Sequence, residues 1–312
     1  MKMCERSFIM INFNPVTPAD KSIYNTYLMD QTKRGCEYAF ANLCMWGRQS
    51  GTILHNHLVL FSQFNRRSVY PFPVGSGDKK TVLDAIIADA KERGIPCRIT
   101  GLNADAVATL ETLYPGQFRF HSDRDSFDYV YEIDKLASLS GKKYQAKRNH
   151  INRFRDIYPN YKVEALNESN LSAAIQMVQT WYEQKTTENP DSDFHMEKAA
   201  ISKAFHYYHE LDMEGLLLWG EDRLLGITLG SPLSSDTFDI HFEKAFSDVQ
   251  GAYAVINQEF ARYLKEKYPQ ICYLDREEDM GIEGLRKSKL SYHPHHLVEK
   301  QWACLLEDEY EY

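Results

Sequence analysis

Thr237-Phe238-Asp239-Ile240-His241-Phe242-Glu243 alternates apolar and polar residues at every step. A period of two is the mark of a strand, and it turns Phe238, Ile240 and Phe242 toward a core while Asp239, His241 and Glu243 share the other face. Upstream, Leu216 to Trp219 and Leu224 to Ser231 read as two more strands around Gly220-Glu221-Asp222-Arg223, a turn-rich tetrapeptide suited to a hairpin. Downstream, Gly251 to Tyr268 carries Val255, Ile256, Phe260 and Leu264 at helical spacing, and Ile271 to Leu274 reads as a further strand. Hairpin, strand, helix and strand in succession predict a mixed sheet with helices packed on it, an α/β architecture.

Working toward the N-terminus, a basic helix from Lys142 to Arg155 precedes a strand at Tyr161 to Ala165. Helices follow at Ser169 to Lys185 and Met196 to Leu211, with an acidic, proline-containing loop between them. The first half alternates in the same way. Helices are expected at Asp20 to Arg34, Lys79 to Arg93 and Ala104 to Tyr114, and strands at Tyr38 to Trp46, His57 to Phe64, Cys97 to Thr100 and Phe127 to Ile133. Gly94 and Pro96 supply the stop signal for the second of these helices. The pattern breaks between Asp123 and Gly141, and 312 residues exceed what one core usually holds. Two domains, 1–140 and 141–312, are therefore expected.

With 43% hydrophobic and 26% charged residues the chain has the composition of a globular protein. No apolar run approaches the ~20 residues of a membrane helix, and Met1 to Asn14 lacks the features of a secretory signal. A cytoplasmic protein without a transmembrane segment is expected, with peripheral membrane attachment left open. Six scattered cysteines show neither paired spacing nor matching histidines, so they read as thiols in a reducing compartment. A net charge of −8 argues against wholesale coating of nucleic acid but not against one local basic patch.

Four features carry possible chemistry. On the Thr237 to Glu243 strand, a histidine flanked by carboxylates suits proton transfer, whereas a solvated sheet face would look the same in sequence. The segment from Lys142 to Arg155 holds six cations and no acid up to that arginine. Lys142, Lys143, Lys147, Arg148 and Arg153 suit phosphates on RNA or an anionic lipid surface while Tyr144, Ile151 and Phe154 anchor the helix. A solvated connector is the alternative. Gly251, with Tyr253, opens a helix whose N-terminus suits an anion, although a turn glycine explains it equally. In the charged loop from Asp275 to Lys289, Asp279 or Glu278 suits an amine and Arg286, Lys287 and Lys289 suit phosphate, unless these charges pair with each other. His293, His295 and His296 lack paired helical spacing, and no metal site is expected.

Several of these motifs recur together: Asp128-Tyr129-Val130-Tyr131, Gly141-Lys142-Lys143-Tyr144 through Arg148-Asn149-His150-Ile151-Asn152-Arg153-Phe154, and Ile240-His241-Phe242-Glu243-Lys244. With them come Gly251-Ala252-Tyr253, Asn257-Gln258-Glu259-Phe260, Gly281-Ile282, Gly284-Leu285-Arg286-Lys287 and Lys289-Leu290. In combination they resemble the C-terminal domain of phosphatidylglycerol lysyltransferases over about the last 185 residues. The first half is similar more loosely, through Trp46 and Pro71-Phe72-Pro73-Val74-Gly75. The resemblance implies tandem acetyltransferase-like (GNAT-like) domains with mixed sheets flanked by helices, related to Fem-type peptidoglycan aminoacyltransferases. It implies an acyltransferase that takes an aminoacyl group from aminoacyl-tRNA, without a required cofactor, to a lipid, peptide or small-molecule acceptor. The basic helix would then meet tRNA or anionic lipid headgroups, and Asp239, His241 and Glu243 would surround the reacting ester. His241 or Glu243 would take the nucleophile's proton, and backbone N–H groups would hold the oxyanion.

Two departures bear on this. Asp248 stands three residues before Gly251, where CoA-dependent GNAT enzymes usually carry Arg or Gln, and a carboxylate there disfavours a diphosphate. The membrane segment of full lipid synthases is missing, which keeps soluble acceptors open. An acyl-CoA-dependent N-acyltransferase and a non-catalytic RNA- or anionic-membrane-binding protein are the alternatives. Donor amino acid, acceptor and oligomeric state are not encoded in these motifs.

Overall fold

The computed structural model describes residues 10–29, 35–47, 49–64, 67–190 and 193–308. The start of the chain with Cys4, the expected helix beyond residue 29 and two residues of the acidic loop lie outside them. Contacts divide the chain into two compact units: one takes the chain up to Leu28, Gly47–Ser126 and the chain from Glu299, and the other takes Met29–Trp46 and Phe127–Val298.

These units differ from the expected halves, 1–140 and 141–312, for a physical reason. The last strand, Gln301–Leu305, pairs antiparallel with both Arg98–Leu102 and Phe118–Ser122, so the end of the chain completes the sheet of the N-terminal unit. In exchange, Asp128–Glu132 pairs into the second sheet. Hydrogen-bonding edges, which composition does not register, set the boundary.

In the first unit, eight strands carry the helices Lys79–Arg93 and Ala104–Leu113 over a core of Val59, Tyr70, Val82, Leu83, Ile86, Ile99, Leu102 and Leu110. The Lys79–Arg93 helix is capped at both ends, the C-terminal end by the glycine expected there. Asp78 accepts from the Thr81 N–H at 2.8 Å, and Gly94 takes the left-handed conformation at φ 64°.

The second unit contains α1 (Phe40–Met45), β1 (Asp128–Glu132), α2 (Ile133–Ser138), α3 (Gln145–Ile157), β2 (Lys162–Ala165), α4 (Leu171–Glu188) and α5 (His195–His206). It continues with β3 (Glu214–Gly220), β4 (Arg223–Pro232), β5 (Thr237–Ala245), α6 (Ala252–Lys267), β6 (Tyr273–Asp275), α7 (Glu283–Leu290) and β7 (His296–Val298). The sheet order is β7-β1-β6-β5-β4-β3-β2. β3, β4 and β5 run antiparallel, and α6 crosses over to β6, which pairs parallel to β5. Val255, Ile256, Phe260, Ala261 and Leu264 of α6 are wholly buried. The expected mixed α/β, acetyltransferase-like architecture is present.

Two expectations change. Tyr38 to Trp46, read as a strand, contains α1; Phe40 to Met45 are all buried, and an apolar run without periodicity suits a buried helix as well as a strand. The charged loop after β6 contains α7. At the start of α6, Gly251 has φ 88°, and a Cβ there would lie 2.4 Å from the His150 carbonyl oxygen. Glycine therefore lets α3 cross close to α6, which supports the turn reading of that residue.

Candidate active site

β5 and β6 pair only from Thr237↔Tyr273 to Asp239↔Asp275. Beyond that point the β6 chain turns away, and the gap fills with polar side chains. Asp239 is 0% and His241 8% exposed, so the second face of β5 is not a solvated one. Asn42, from α1, is buried against this face.

His241 is fixed at both ring nitrogens. Its Nε2 lies 2.8 Å from Ser231 Oγ, and its Nδ1 lies 3.1 Å from Glu277 Oε1 and 3.4 Å from Asp239 Oδ2. Ser231 comes to hand because β4 pairs with β5 at Ser231↔Asp239, which puts both side chains on one face. Asn42 Nδ2 donates to Glu277 Oε1 at 3.0 Å and to Asp239 Oδ2 at 3.4 Å. Asn42 Oδ1 accepts from Trp46 Nε1, which sets the amide's direction. Glu277 itself sits at φ 56°, with its N–H donating to Asp275 Oδ1 at 2.8 Å. The arrangement is a hydroxyl, an imidazole and two carboxylates in line. A proton accepted at Nε2 would leave an imidazolium held by two negative partners.

A second buried group adjoins the first. Asp128 accepts from the Cys36 N–H at 2.8 Å, and the Cys36 thiol lies 3.3 Å from Glu278 Oε2. Among the described residues, two separate trios could each hold a metal ion, Asp239 with His241 and Glu277, and Cys36 with Glu37 and Asp128, the candidate ligand atoms within each trio lying within 4.8 Å of one another. His293, His295 and His296 form no such set among the described residues; the ring nitrogens of His295 and His296 face each other at 2.8 Å.

Of the three strand residues read from the sequence, Asp239 and His241 meet and Glu243 does not join them. Glu243 accepts from Arg276 Nη2 at 3.0 Å and from Asn257 Nδ2 at 3.1 Å. Asp279 and Arg286, read as ligands for separate groups, bind each other: Arg286 donates to both Asp279 oxygens at 2.9 and 2.8 Å. This contact, with further bonds from Tyr129 and the Gly281 N–H, holds the Asp279 carboxyl below the usual carboxylate range. Lys289 is buried and donates to the carbonyls of Arg276, Glu277 and Glu278, so it shapes the loop carrying Glu277. Burial pushes its ammonium below the ordinary lysine value.

The basic helix divides its cations. Arg148 donates to the Leu139 and Gly141 carbonyls at 2.5 and 2.7 Å and so closes α2. Lys142 and Arg153 are exposed, and Tyr253 is 38% exposed on the first turn of α6. Lys143, Lys147 and His150 line a cleft of about 400 Å³ whose other wall is α7, with Lys287 and Ser288, followed by Ser291. Lys147 Nζ stands 3.7 Å from the centre of the Tyr292 ring. Burial, aided by the Arg276 guanidinium and opposed by Glu243, pushes its ammonium down to about 8.

Sequence reasoning missed Ser231, Asn42, Glu277, Arg276 and Cys36. Strand register could have found Ser231, since a hairpin ending at Pro232 places it opposite Asp239. Asn42 and Cys36 come from a segment about 200 residues away in sequence, with no local signal pointing to the site.

The family model described as "Phosphatidylglycerol lysyltransferase, C-terminal" matches residues 30–304. The crystal structure of a conserved protein of unknown function from Bacteroides thetaiotaomicron VPI-5482 is similar at 37% identity and a TM-score of 0.91, covering 95% of this chain and 100% of that one. The structure of L-PGS from Bacillus licheniformis has 14% identity and a TM-score of 0.67, covering 94% of this chain and 93% of that one; at this identity the likeness is one of fold. An uncharacterized protein of Mycoplasmoides gallisepticum is 26% identical over 176 residues, 56% of this chain and 55% of that protein, so the chain spans about half the length of this curated relative. No helix among the described residues is long and apolar enough to cross a membrane. Since the family match runs through both units and the whole His241 cluster, the chain belongs to the phosphatidylglycerol lysyltransferase C-terminal family.

Proposed function

We propose that this chain is an aminoacyltransferase that moves an aminoacyl group from aminoacyl-tRNA to a hydroxyl or amine of a lipid, peptide or small-molecule acceptor. Family membership supports the reaction class, and the observation that carries the reading is His241 held between Ser231 and the two carboxylates of Asp239 and Glu277. In such a transfer the acceptor oxygen or nitrogen attacks the ester carbonyl carbon. Its proton passes to His241 Nε2 through the Ser231 hydroxyl, and the tetrahedral intermediate then expels the ribose oxygen, which takes that proton back. Asp239 and Glu277 stabilise the imidazolium between the two transfers, the task a carboxylate partner performs for a general base.

Asp248 supports an aminoacyl ester over acyl-CoA as donor. The support is its sequence position, three residues before Gly251; its carboxylate is exposed and lies 3.3 Å from Arg223. Transfer assays with tRNA charged with radiolabelled lysine, then other amino acids, test the reading against lipid, peptide and amine acceptors. Replacement His241→Ala is expected to lower kcat/KM by roughly 10²–10⁴-fold. Undiminished transfer by a folded His241→Ala variant, or acetylation of an amine from acetyl-CoA with no use of aminoacyl-tRNA, contradicts it.

A further inference from the structure

Ser231 and His241 meet because of two local features of the β4–β5 pair. The register shifts between Leu229 and Gly230, so His241 has no Cα partner on β4, and a bulge of this kind re-aims the extra side chain. Gly230, next to Ser231, permits the close approach: a Cβ there would collide with the Asp239 carbonyl oxygen and the Phe238 ring. Ser231 itself lies opposite Asp239, on the face that carries the cluster.

The partners of the imidazole fix which nitrogen holds the proton. Nδ1 faces Glu277 Oε1 at 3.1 Å and Asp239 Oδ2 at 3.4 Å, and ionised carboxylates only accept, so Nδ1 carries the hydrogen. Nε2 is then the basic nitrogen. It has one lone pair in the ring plane, and Ser231 Oγ, 2.8 Å away, donates to it. An acceptor hydroxyl or amine cannot share that lone pair while the serine occupies it. The oxygen that His241 activates directly is therefore the serine's own. Hydroxyl, imidazole and carboxylate stand in the order that serves acylation of a serine. Pairing of β5 with β6 ends at Asp239↔Asp275, so beyond it the β5 edge facing β6 carries backbone groups with no strand partner among the described residues. N–H groups on such an edge suit an oxyanion.

We infer that Ser231 is itself a nucleophile and that the chain, with no acceptor bound, hydrolyses aminoacyl esters through an ester on Ser231. The inference rests on the aminoacyl-ester reading for its substrate. Ser231 Oγ attacks the ester carbonyl carbon and gives its proton to His241 Nε2. The tetrahedral intermediate expels the donor's alcohol oxygen, which takes that proton, and the aminoacyl group stays on Oγ. Water then attacks the same carbon and passes its proton to Nε2. The bond from carbon to Oγ breaks, and Oγ takes the proton back. The sum is ester plus water giving amino acid plus alcohol. With an acceptor in place, the same hydroxyl relays the acceptor's proton instead.

Lysine p-nitrophenyl ester, given to the full chain in EDTA without acceptor, tests this by p-nitrophenolate release and by mass spectrometry of acid-quenched samples. Release beyond one equivalent per chain is expected, with one lysyl group on the peptide that holds Ser231. Ser231→Ala and His241→Ala, shown to be folded by circular dichroism, should lose release by roughly 10²-fold or more. Ser231→Cys should carry the lysyl group as a thioester. No release by the parent, or release that leaves no adduct on Ser231 and survives in folded Ser231→Ala, overturns the inference. So does release that needs a divalent cation in place of EDTA and forms no adduct, since water on a metal at Asp239, His241 and Glu277 would then be the nucleophile. Lysyl-tRNA separates the inference from the transfer reading. Transfer to an acceptor with no Ser231 adduct from either ester removes the inference and leaves transfer standing, whereas a Ser231 adduct with no transfer to any acceptor does the reverse.

Discussion

The His241 cluster and the α3–α7 cleft lie in one unit and are built on opposite physical terms. In the cluster, side-chain exposure is 1% at His241 and 0% at Asp239, and each group is defined by its hydrogen-bond partners. In the cleft, Lys143 and Lys287 stand in solvent. A buried charge costs several kcal/mol if its partner is lost, whereas an exposed one contributes about 1 kcal/mol or less to folding. Substitution in the first region should therefore disturb fold and chemistry together. Substitution in the second should disturb recognition alone.

The largest expected effect on stability lies in the turn that joins the regions. Asp279→Ala leaves Arg286 without its bidentate partner and should cost about 3–5 kcal/mol, read as a lower urea midpoint. Because the Asp279 carboxyl is depressed in the folded chain, its stabilisation is full above the ordinary aspartate value and fades as pH falls toward the folded one. The variant should accordingly have a flatter acid limb.

Next comes Gly251→Ala, which adds a Cβ 2.4 Å from the His150 carbonyl at φ 88° and should cost about 2–4 kcal/mol by moving α3. Asn42→Ala removes a donor shared by Asp239 and Glu277 and should cost about 1–3 kcal/mol. It should also lower any transfer activity with it, whereas a loss of stability with unchanged activity would separate α1 from the site. Lys287→Ala should stay within about 0.5 kcal/mol of the parent in stability, and a larger change would break the contrast between the regions.

The smallest effect concerns pH. With its ammonium pushed down to about 8, Lys147 is charged at pH 7 and largely neutral at pH 9. The groups facing it are Arg276, Glu243 and the Tyr292 ring. The cleft should therefore lose one positive charge between those pH values in the parent and none in Lys147→Met, a difference that a pH titration of folding stability reads. The unfolded lysine holds its proton up to about 10.4, so this group adds stability as pH rises from about 8 toward that value.

Much of the second unit was legible in the sequence because its signals are local. Alternation in β5, the Gly220 to Arg223 turn and the helical spacing of Val255, Ile256, Phe260 and Leu264 each fall within one element. The misreadings share one cause. The buried helix α1 carries no period, and the strand Gln301–Leu305 owes its unit to pairing with residues about 200 positions earlier. The site follows the same division. Asp239 and His241 could be paired from the period of two, but the β4–β5 register shifts between Leu229 and Gly230 and leaves His241 as an extra residue on β5, and Glu243 beyond it accepts from Arg276 instead. Likewise the charged loop revealed that Asp279 and Arg286 matter without revealing that they bind each other.

The central claim is that the His241 line carries proton transfer in an aminoacyl exchange. It is tested most directly by single-turnover transfer from radiolabelled aminoacyl-tRNA with parent, His241→Ala and Ser231→Ala chains, each shown to be folded by circular dichroism. The account predicts transfer by the parent, loss of roughly 10²–10⁴-fold in the rate of the histidine variant and a smaller loss for the serine variant. Rates equal to the parent in both folded variants would contradict it.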